Sequence, residues 1–315
     1  MKYIEDNVEY IEQEPGIDGM YKMMELAARQ CYMTTDLIKE GSARKIIDNV
    51  CIKHGHTSVT EFGTVYLKIP NYKLLTVLKY AFDRYSRVKF TFKYSYVTTT
   101  YRTIIQGDYK NPIEAIKNNF DKDWKDDLKY WSEPTKYHRK RYCFRFTMDR
   151  VGSQSVERHR GKYGISYAQE STRYVNYGKD KYENNIMVSL PSKFYSLIDE
   201  WSKCVDSLTG ESFEWITEAS LDEKLNFLRV HDRGWNTYEH SLKIAEKDYM
   251  DLVNVEEWKP EDARGVLNLD IKTQFMMCAY KEDWDMFLFR RVDLHAHPHI
   301  QSIANRLRGM LYDVI

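Results

Sequence analysis

The chain has 315 residues, enough for one large domain or two small ones with an ample core. Lys and Arg together number 47, as do Asp and Glu, and this neutral balance argues against a general nucleic-acid binder, which usually carries a basic excess. No apolar run approaches the ~20 residues of a membrane span and the first residues, MKYIED, do not resemble a signal peptide, so we expect a cytoplasmic protein without a membrane partner.

The first half of the chain alternates predicted helices and strands. Apolar residues recur every three or four positions over residues 17–31, which predicts an amphipathic helix. A second helix is predicted over Ser42–Lys53, with Ser42 as its cap. Alternating apolar residues predict a strand over 65–69 and a long strand over 90–98. Residues 106–140 are charged and rich in turn residues, and we expect helices on an exposed flank there.

The second half shows the same mixture. Strands are predicted over 142–148, 186–190 and 271–280, and helices over 192–208, 212–230, 236–255 and from Glu282 to Arg291, with Pro260 opening a short helix and Pro298 a final one. No internal repeat, low-complexity tract or linker interrupts this order. We therefore expect a single domain over residues 1–315.

Cysteines and histidines are candidate metal ligands. The five cysteines are scattered without a C-x-x-C pair, and we expect reduced, mostly buried thiols, none of them in a basic setting that would activate a nucleophile. His54 and His56 lack a third ligand at a matching spacing. His295, His297 and His299 alternate, but Pro298 suits the first turn of a helix and breaks the alternating face. We favour structural or capping histidines over ligands and predict no metal site.

The segment from Arg158 to Tyr177 holds the densest group of polar residues. It begins with Arg158-His159-Arg160 and continues to Gln169-Glu170-Ser171-Thr172-Arg173. Such groups must be solvated, paired with one another or bound to a polar ligand. Arginines offer forked donors that match phosphate and carboxylate, although a solvated network of ion pairs is the alternative. If the first three residues are helical, Arg158 and Arg160 diverge by about 200° and serve two ligands or two subunits.

The order of these residues closely resembles the signature of the flavin-dependent thymidylate synthases (the ThyX family), which is RHR, seven residues, Ser, one residue and Arg. Here ten residues separate Arg160 from Ser171, so the spacer carries three extra residues, within Gly161 to Gly164. Two other segments also resemble family motifs. The first has Gly55, His56, Ser58 and Glu61, with Phe62 in place of a second histidine; the second has Ala263, Arg264, Val266 and Leu267, with Asn268 in place of proline, followed by Arg291, His295, Ala296 and Ile300.

The resemblance implies an α+β fold with a twisted, mostly antiparallel β-sheet core flanked by helices, assembled as a homotetramer with shared active sites. It also implies the reductive methylation of dUMP to dTMP, with FAD as cofactor, NADPH as reductant and methylenetetrahydrofolate as carbon donor. In this family no cysteine attacks the uracil. The alternatives are a related flavin enzyme that hydroxymethylates dUMP, a nucleic-acid-binding module and a histidine-metal hydrolase.

By matched position, the resemblance assigns dUMP contacts to Arg158, Glu170, Ser171, Arg173, Arg264 and Arg291, with Arg291 as the catalytic group beside the uracil. It assigns FAD contacts to Thr64, Arg158, His159, Arg160, Ser166 and Gln169. Salt bridges are the alternative for the arginines, and routine backbone hydrogen bonds for Thr64 and Ser166. Tyr280 and Met286 stand where the family often has asparagines near the flavin, so we expect FAD to be held there by stacking and apolar contact.

Overall fold

The computed structural model of the chain describes residues 1–106, 124–158, 164–179, 185–293 and 295–315. Helices and strands alternate through these residues, as the sequence predicts. The strands are β1 (Lys2–Ile4), β2 (Asn7–Ile11), β3 (Thr64–Pro70), β4 (Arg87–Phe90), β5 (Tyr94–Thr100), β6 (Arg141–Asp149), β7 (Ser166–Gln169), β8 (Met187–Ser189) and β9 (Lys272–Tyr280).

The helices lie on both sides of these strands. They are α1 (Gly16–Cys31), α2 (Ser42–Ile46), α3 (Leu74–Ala81), α4 (Tyr101–Gln106), α5 (Arg150–Glu157), α6 (Ser192–Ser202), α7 (Leu221–His231), α8 (Arg233–Asn254), α9 (Pro260–Ala263), α10 (Lys281–Arg291) and α11 (Pro298–Val314). Helix α2 continues as a π-helical stretch over Ile47–Ile52, and short 3₁₀ helices include Thr57–Glu61, Trp124–Tyr130 and Glu214–Thr217. None of the described helices is long and apolar enough to cross a membrane.

A four-stranded antiparallel sheet in the order β2-β6-β9-β7 forms the centre of the fold. Both of its faces are covered, so β6 and β9 are buried over almost their whole length. One face packs against α10 and α11, where Phe146 stacks on Phe275 with ring centroids 4.9 Å apart. The other face packs against α1 through Met23 and Ala27. The predicted α+β class and mostly antiparallel sheet are confirmed.

A second antiparallel sheet, β3-β5-β4, corrects one of the predicted strands. The residues from Phe90 to Thr98 form a hairpin rather than one long strand, because the chain reverses at Thr91. Its backbone N–H and its hydroxyl both donate to the carbonyl of Tyr94, at 3.0 and 2.6 Å. Phe92 sits at the tip with 95% of its surface exposed, so its place in the apolar alternation does not reflect burial.

The predicted helices are confirmed in position but differ at several ends. Residue Gly41, with φ of 74°, precedes α2 instead of a serine cap, and the Ser42 hydroxyl donates to Glu25 Oε1 at 2.7 Å. The helix expected over 212–230 begins at Leu221, where Ser220 and Glu223 form a reciprocal capping box. The helix expected over 192–208 ends at Ser202. Of the exposed flank expected over 106–140, residues 107–123 lie outside the described residues.

A buried histidine ties three distant segments together. Both ring nitrogens of His299, near the start of α11, contact carboxylates: Nε2 contacts Asp6 and Nδ1 contacts Asp149. Burial by itself lowers the pKa of His299, but the hydrogen bonds to Asp149 and Asp6 outweigh it and raise the pKa to about 10. Within the described ranges, no group of three or more His, Cys, Asp or Glu side chains is arranged to hold a metal ion.

Candidate functional site

Helix α5 carries the start of the arginine-rich segment. Asp149, the last residue of β6, caps this helix by accepting a hydrogen bond from the backbone N–H of Gly152. The helix ends at Glu157, and the exposed Arg158 follows as its C-cap residue. The predicted FAD contacts His159 and Arg160 lie outside the described residues, as does most of the three-residue insertion.

Arg291 reaches the C-terminal end of α5 from the last turn of α10. Its Nη2 atom donates to the backbone carbonyl of Ser155 at 2.7 Å. The side chain is half-buried, and desolvation, followed by the nearby charges of Arg158 and Arg290, lowers its pKa. Neighbouring like charges repel one another, and a bound anion relieves the repulsion. The structure therefore brings two of the predicted dUMP contacts, Arg158 and Arg291, into one positively charged patch.

The turn after β7 brings three other predicted dUMP contacts together. The backbone N–H of Ser171 donates to the carbonyl of Cys31 at 2.9 Å, which fixes the turn against the end of α1. Arg264 donates to the hydroxyl of Thr172 at 3.2 Å. The exposed Arg173 pairs with Glu261 at 3.3 Å, on the helix that immediately precedes Arg264. Two guanidinium groups and a serine hydroxyl thus flank one surface turn.

Gln169 connects this turn with α5. Its Nε2 atom donates to the hydroxyls of Ser153 at 2.7 Å and of Thr273 at 3.0 Å. Ser153 lies on α5, five residues before Arg158. The turn that holds Ser171 and Arg173 is therefore linked through Gln169 to the helix whose C-terminal end holds Arg158.

Glu170 lies beneath the turn, and both oxygens of its carboxylate bind other groups of the protein. It is 1% exposed, its Oε2 atom pairs with Lys272 Nζ at 2.8 Å, and Tyr177 donates to its other oxygen at 3.1 Å. The backbone N–H of Gln274 also donates to it at 3.2 Å. This buried ion pair supports the turn from inside, while the predicted contact between Glu170 and the nucleotide stays a prediction.

The structure separates Thr64 and Ser166 from this region. Both hydroxyls are buried and accept hydrogen bonds from Arg141, at 3.5 and 2.6 Å. Ser166 lies three residues before Gln169 on β7, about 10 Å along the strand. Arg141 itself was missed by the sequence analysis, although an arginine that directly precedes the alternating Tyr142, Phe144, Phe146 and Met148 is a usable signal of a buried cation.

Two buried cysteines correct the expectation that no thiol lies in a basic setting. Cys143 and Cys278 are directly opposite each other on β6 and β9. Burial raises the pKa of Cys143 well above its usual range. The hydrogen bond from Cys143 lowers the pKa of Cys278 to about 7. Burial opposes this effect, and the charge of Arg141 adds to it. Since each residue is 2% exposed, both thiols are shielded from any substrate in solution.

The structure also shows the surroundings of three residues that depart from the family pattern. Tyr280 is fully buried, its hydroxyl donates to the carbonyls of Tyr85 and Thr98 at 2.8 and 2.9 Å, and Arg87 lies 4.2 Å above its ring. The expected stacking of Tyr280 on a flavin is therefore wrong, since no face of the ring is open, whereas Met286 is 40% exposed. Phe62, which replaces a family histidine, is a core residue between α1 and the central sheet.

Comparison with known proteins gives a family match. A family model described as thymidylate synthase complementing protein matches residues 76–315. No curated protein matches the chain by sequence. Among solved structures, the crystal structure of a UMP/dUMP methylase PolB from Streptomyces cacaoi bound with 5-Br dUMP is similar over 99% of this chain and 93% of that chain, with 12% identity and a TM-score of 0.41.

Proposed function

Since the chain belongs to the family of thymidylate synthase complementing proteins, the ThyX-type enzymes, we propose that it methylates dUMP reductively to dTMP. In this proposal FAD is the cofactor, NADPH the reductant and methylenetetrahydrofolate the carbon donor. One observation carries it: the turn that holds Ser171 and Arg173, and that Arg264 contacts, is linked to α5 by the hydrogen bond from Gln169 to Ser153. The C-terminal end of α5 holds Arg158 and is contacted by Arg291.

The phosphate of dUMP would bind at the surface turn. Ser171 offers a hydroxyl, and Arg173 and Arg264 offer forked donors that match phosphate oxygens. The contacts that hold these arginines in the protein alone are exposed or long, at 3.2–3.4 Å, and exposed ion pairs contribute about 0–1 kcal/mol. A phosphate dianion therefore displaces Glu261 from Arg173 at little cost.

The uracil ring would lie toward Arg291. This guanidinium is partly desolvated and anchored by the Ser155 carbonyl, so its direction is fixed before the substrate binds. Positive charge held in a partly desolvated place stabilises negative charge that develops on the base in the transition state. Arg291 is thus the proposed catalytic residue.

The described residues also fit an anionic dinucleotide cofactor. The exposed Arg158 lies beside a second cation, Arg291, and this pair favours a pyrophosphate or a flavin carbonyl nearby. Gln169 is held in place by Ser153 and Thr273 and borders the same region. Bound reduced flavin would supply the hydride and pass the folate carbon to the base. Thr64 and Ser166, which the resemblance assigns to FAD, hydrogen-bond to Arg141 instead, and we leave them outside the proposed FAD site.

The proposal includes a homotetramer whose active sites combine residues of several subunits. Large apolar side chains on and around α3 support it, because they are unusually exposed for a monomer surface. These are Tyr72, Leu74, Leu75 and Phe82, with exposed fractions of 82%, 51%, 48% and 58%. Light scattering under assay conditions tests this part, and an active monomer would contradict it.

The test of function begins with the visible absorption spectrum of the purified protein after addition of FAD, with and without dUMP. We expect flavin bands that shift when dUMP is added, since cofactor and nucleotide share one site. With NADPH and methylenetetrahydrofolate present, mass spectrometry should find dTMP, whereas hydroxymethyl-dUMP would indicate the related reaction. A protein that binds no FAD but binds single-stranded DNA in a salt-dependent way would overturn the proposal.

A further inference from the structure

A cleft of about 380 Å³ lies away from the arginine-rich region. It opens between the segment that follows β2, the start of β3, the start of β6 and the segment after the 3₁₀ helix Trp124–Tyr130. Of the predicted site residues, Thr64 lines this cleft, whereas Arg158, Gln169, Ser171, Arg173, Arg264 and Arg291 do not. Its volume is in the range of small-molecule sites in proteins.

A buried cation borders the cleft. Arg141 is 8% exposed. Among the described residues its two Nη atoms donate to neutral oxygens, namely the carbonyls of Glu61 and Cys278 and the hydroxyls of Thr64 and Ser166. Its Nε atom has no hydrogen-bond partner among the residues that the structure describes. A buried donor without an acceptor is costly, and more so when it belongs to a charged group. An acceptor oxygen supplied by a ligand in the cleft removes this cost.

Aromatic rings form the walls. Tyr10, Tyr66 and Trp131 all line the cleft. Trp131 is held beside β3 by a bridge to Leu67, and the next residue donates its backbone N–H to the carbonyl of Tyr66 at 3.0 Å. Burial raises the pKa of Tyr66, so the phenol stays neutral at ordinary pH. Flat walls fixed by backbone contacts suit a flat ligand.

The charges at the rim of the cleft favour some classes of ligand over others. Glu12, Glu14 and Glu133 line the opening together with Lys140, so the outer end of the cleft is more acidic than basic. A phosphate dianion is disfavoured there, which separates this cleft from the nucleotide site. The side chain of Gln13 accepts from the backbone N–H of Thr64 at 2.8 Å and donates to the carbonyl of Thr64 at 2.9 Å. This wall is therefore in place before any ligand binds.

We propose that this cleft is a second ligand site, which takes a planar aromatic or heteroaromatic molecule whose carbonyl or carboxylate oxygen accepts from Nε of Arg141. The acidic rim selects a neutral or amino-bearing outer end. The buried, incompletely satisfied guanidinium and the three rings carry this inference together.

The test is ligand-observed NMR on the full chain, saturated with FAD and dUMP, with benzamide and 4-aminobenzoate as probes and aniline as the ring without an acceptor. We expect both probes to bind with dissociation constants of about 1 mM or lower, as fragments of this size do, and aniline at least about tenfold more weakly. Trp131→Ala should weaken benzamide at least about tenfold, whereas Trp258→Ala, at a half-exposed tryptophan outside the cleft, should leave it unchanged.

Arg141→Lys should remove the preference for benzamide over aniline. If Arg141→Lys does not fold, Trp131→Ala still tests the proposal. Unchanged benzamide affinity in Trp131→Ala, or equal binding of aniline and benzamide to the wild-type chain, would overturn the proposal. So would binding of the probes to the chain without FAD and dUMP but not to the saturated chain, because the cleft would then belong to the catalytic site.

Discussion

The contact of His299 with two aspartates makes a quantitative prediction about stability. His299→Gln keeps a side chain that can donate to one carboxylate but removes the positive charge between Asp6 and Asp149. The pKa of His299 is raised from 6.5 to about 10, a shift of about 3.5 units, which corresponds to about 5 kcal/mol. Since removing one partner of a buried ion pair usually costs about 3–5 kcal/mol, we expect a loss of about 4 kcal/mol at pH 6.

The pH dependence gives the sign of the effect. The pKa of His299 is higher in the folded chain than in the unfolded chain, so its contribution is fully present below about pH 6.5. Between pH 6.5 and about 10 the folded state holds one more proton, and the contribution falls by about 1.4 kcal/mol per pH unit. The difference between wild type and variant should therefore narrow from about 4 kcal/mol at pH 6 to about 1 kcal/mol or less at pH 9.

Urea unfolding at pH 6.0, 7.5 and 9.0, followed by tryptophan fluorescence and by circular dichroism, measures this difference. His240→Gln is the matched control, because His240 is exposed on α8, and its free energy of unfolding should stay within about 0.5 kcal/mol of wild type. A difference between wild type and His299→Gln that is the same at all three pH values would refute the role of the imidazolium charge.

Three further predictions concern the nucleotide region. Arg291→Ala should keep bound FAD but lose turnover, and normal turnover in an initial-rate assay would show that Arg291 is not catalytic. Ser171→Ala should raise the dUMP dissociation constant about tenfold or more by calorimetry while leaving measurable chemistry; complete inactivity with intact dUMP binding would contradict its role as a phosphate contact. Lys272→Met should lower the free energy of unfolding by about 3 kcal/mol, since it leaves the carboxylate of Glu170 buried without its cation; a loss below about 1 kcal/mol in urea titration would show that the pair contributes little.

Strongly periodic segments of the fold were predictable. The strand over 142–148, the strand over 271–280 and the helix over 17–31 are long and have one clear period, and each appears in the structure within two residues of the expected ends. The hairpin at Thr91 was not predictable, because Phe92 continues the apolar alternation through the turn itself. The period of apolar residues indicates which face of a strand a residue lies on. It does not reveal a reversal of the chain when the alternation continues through the turn.

The candidate site was predictable only where the motifs lie in sequence. The resemblance placed Ser171, Arg173 and Arg264, and the structure brings them to one turn. Arg141 was not foreseen, because its hydroxyl partners Thr64 and Ser166 lie 77 and 25 residues away, and such partners follow from strand pairing rather than from local pattern. Thr64 also precedes the first residue of the family match, which begins at residue 76.

The order of strands in the central sheet has a consequence for synthesis of the chain. β2 pairs with β6, whose first residue is Arg141, and β6 and β7 both pair with β9, which begins only at Lys272. At about 5–20 residues per second, β2 leaves the ribosome on the order of ten seconds before its partner exists. Contacts of this sequence separation form slowly because a long loop must close first. A nascent chain therefore exposes unpaired strand edges until its last quarter is made, and chains truncated before β9 should aggregate rather than fold.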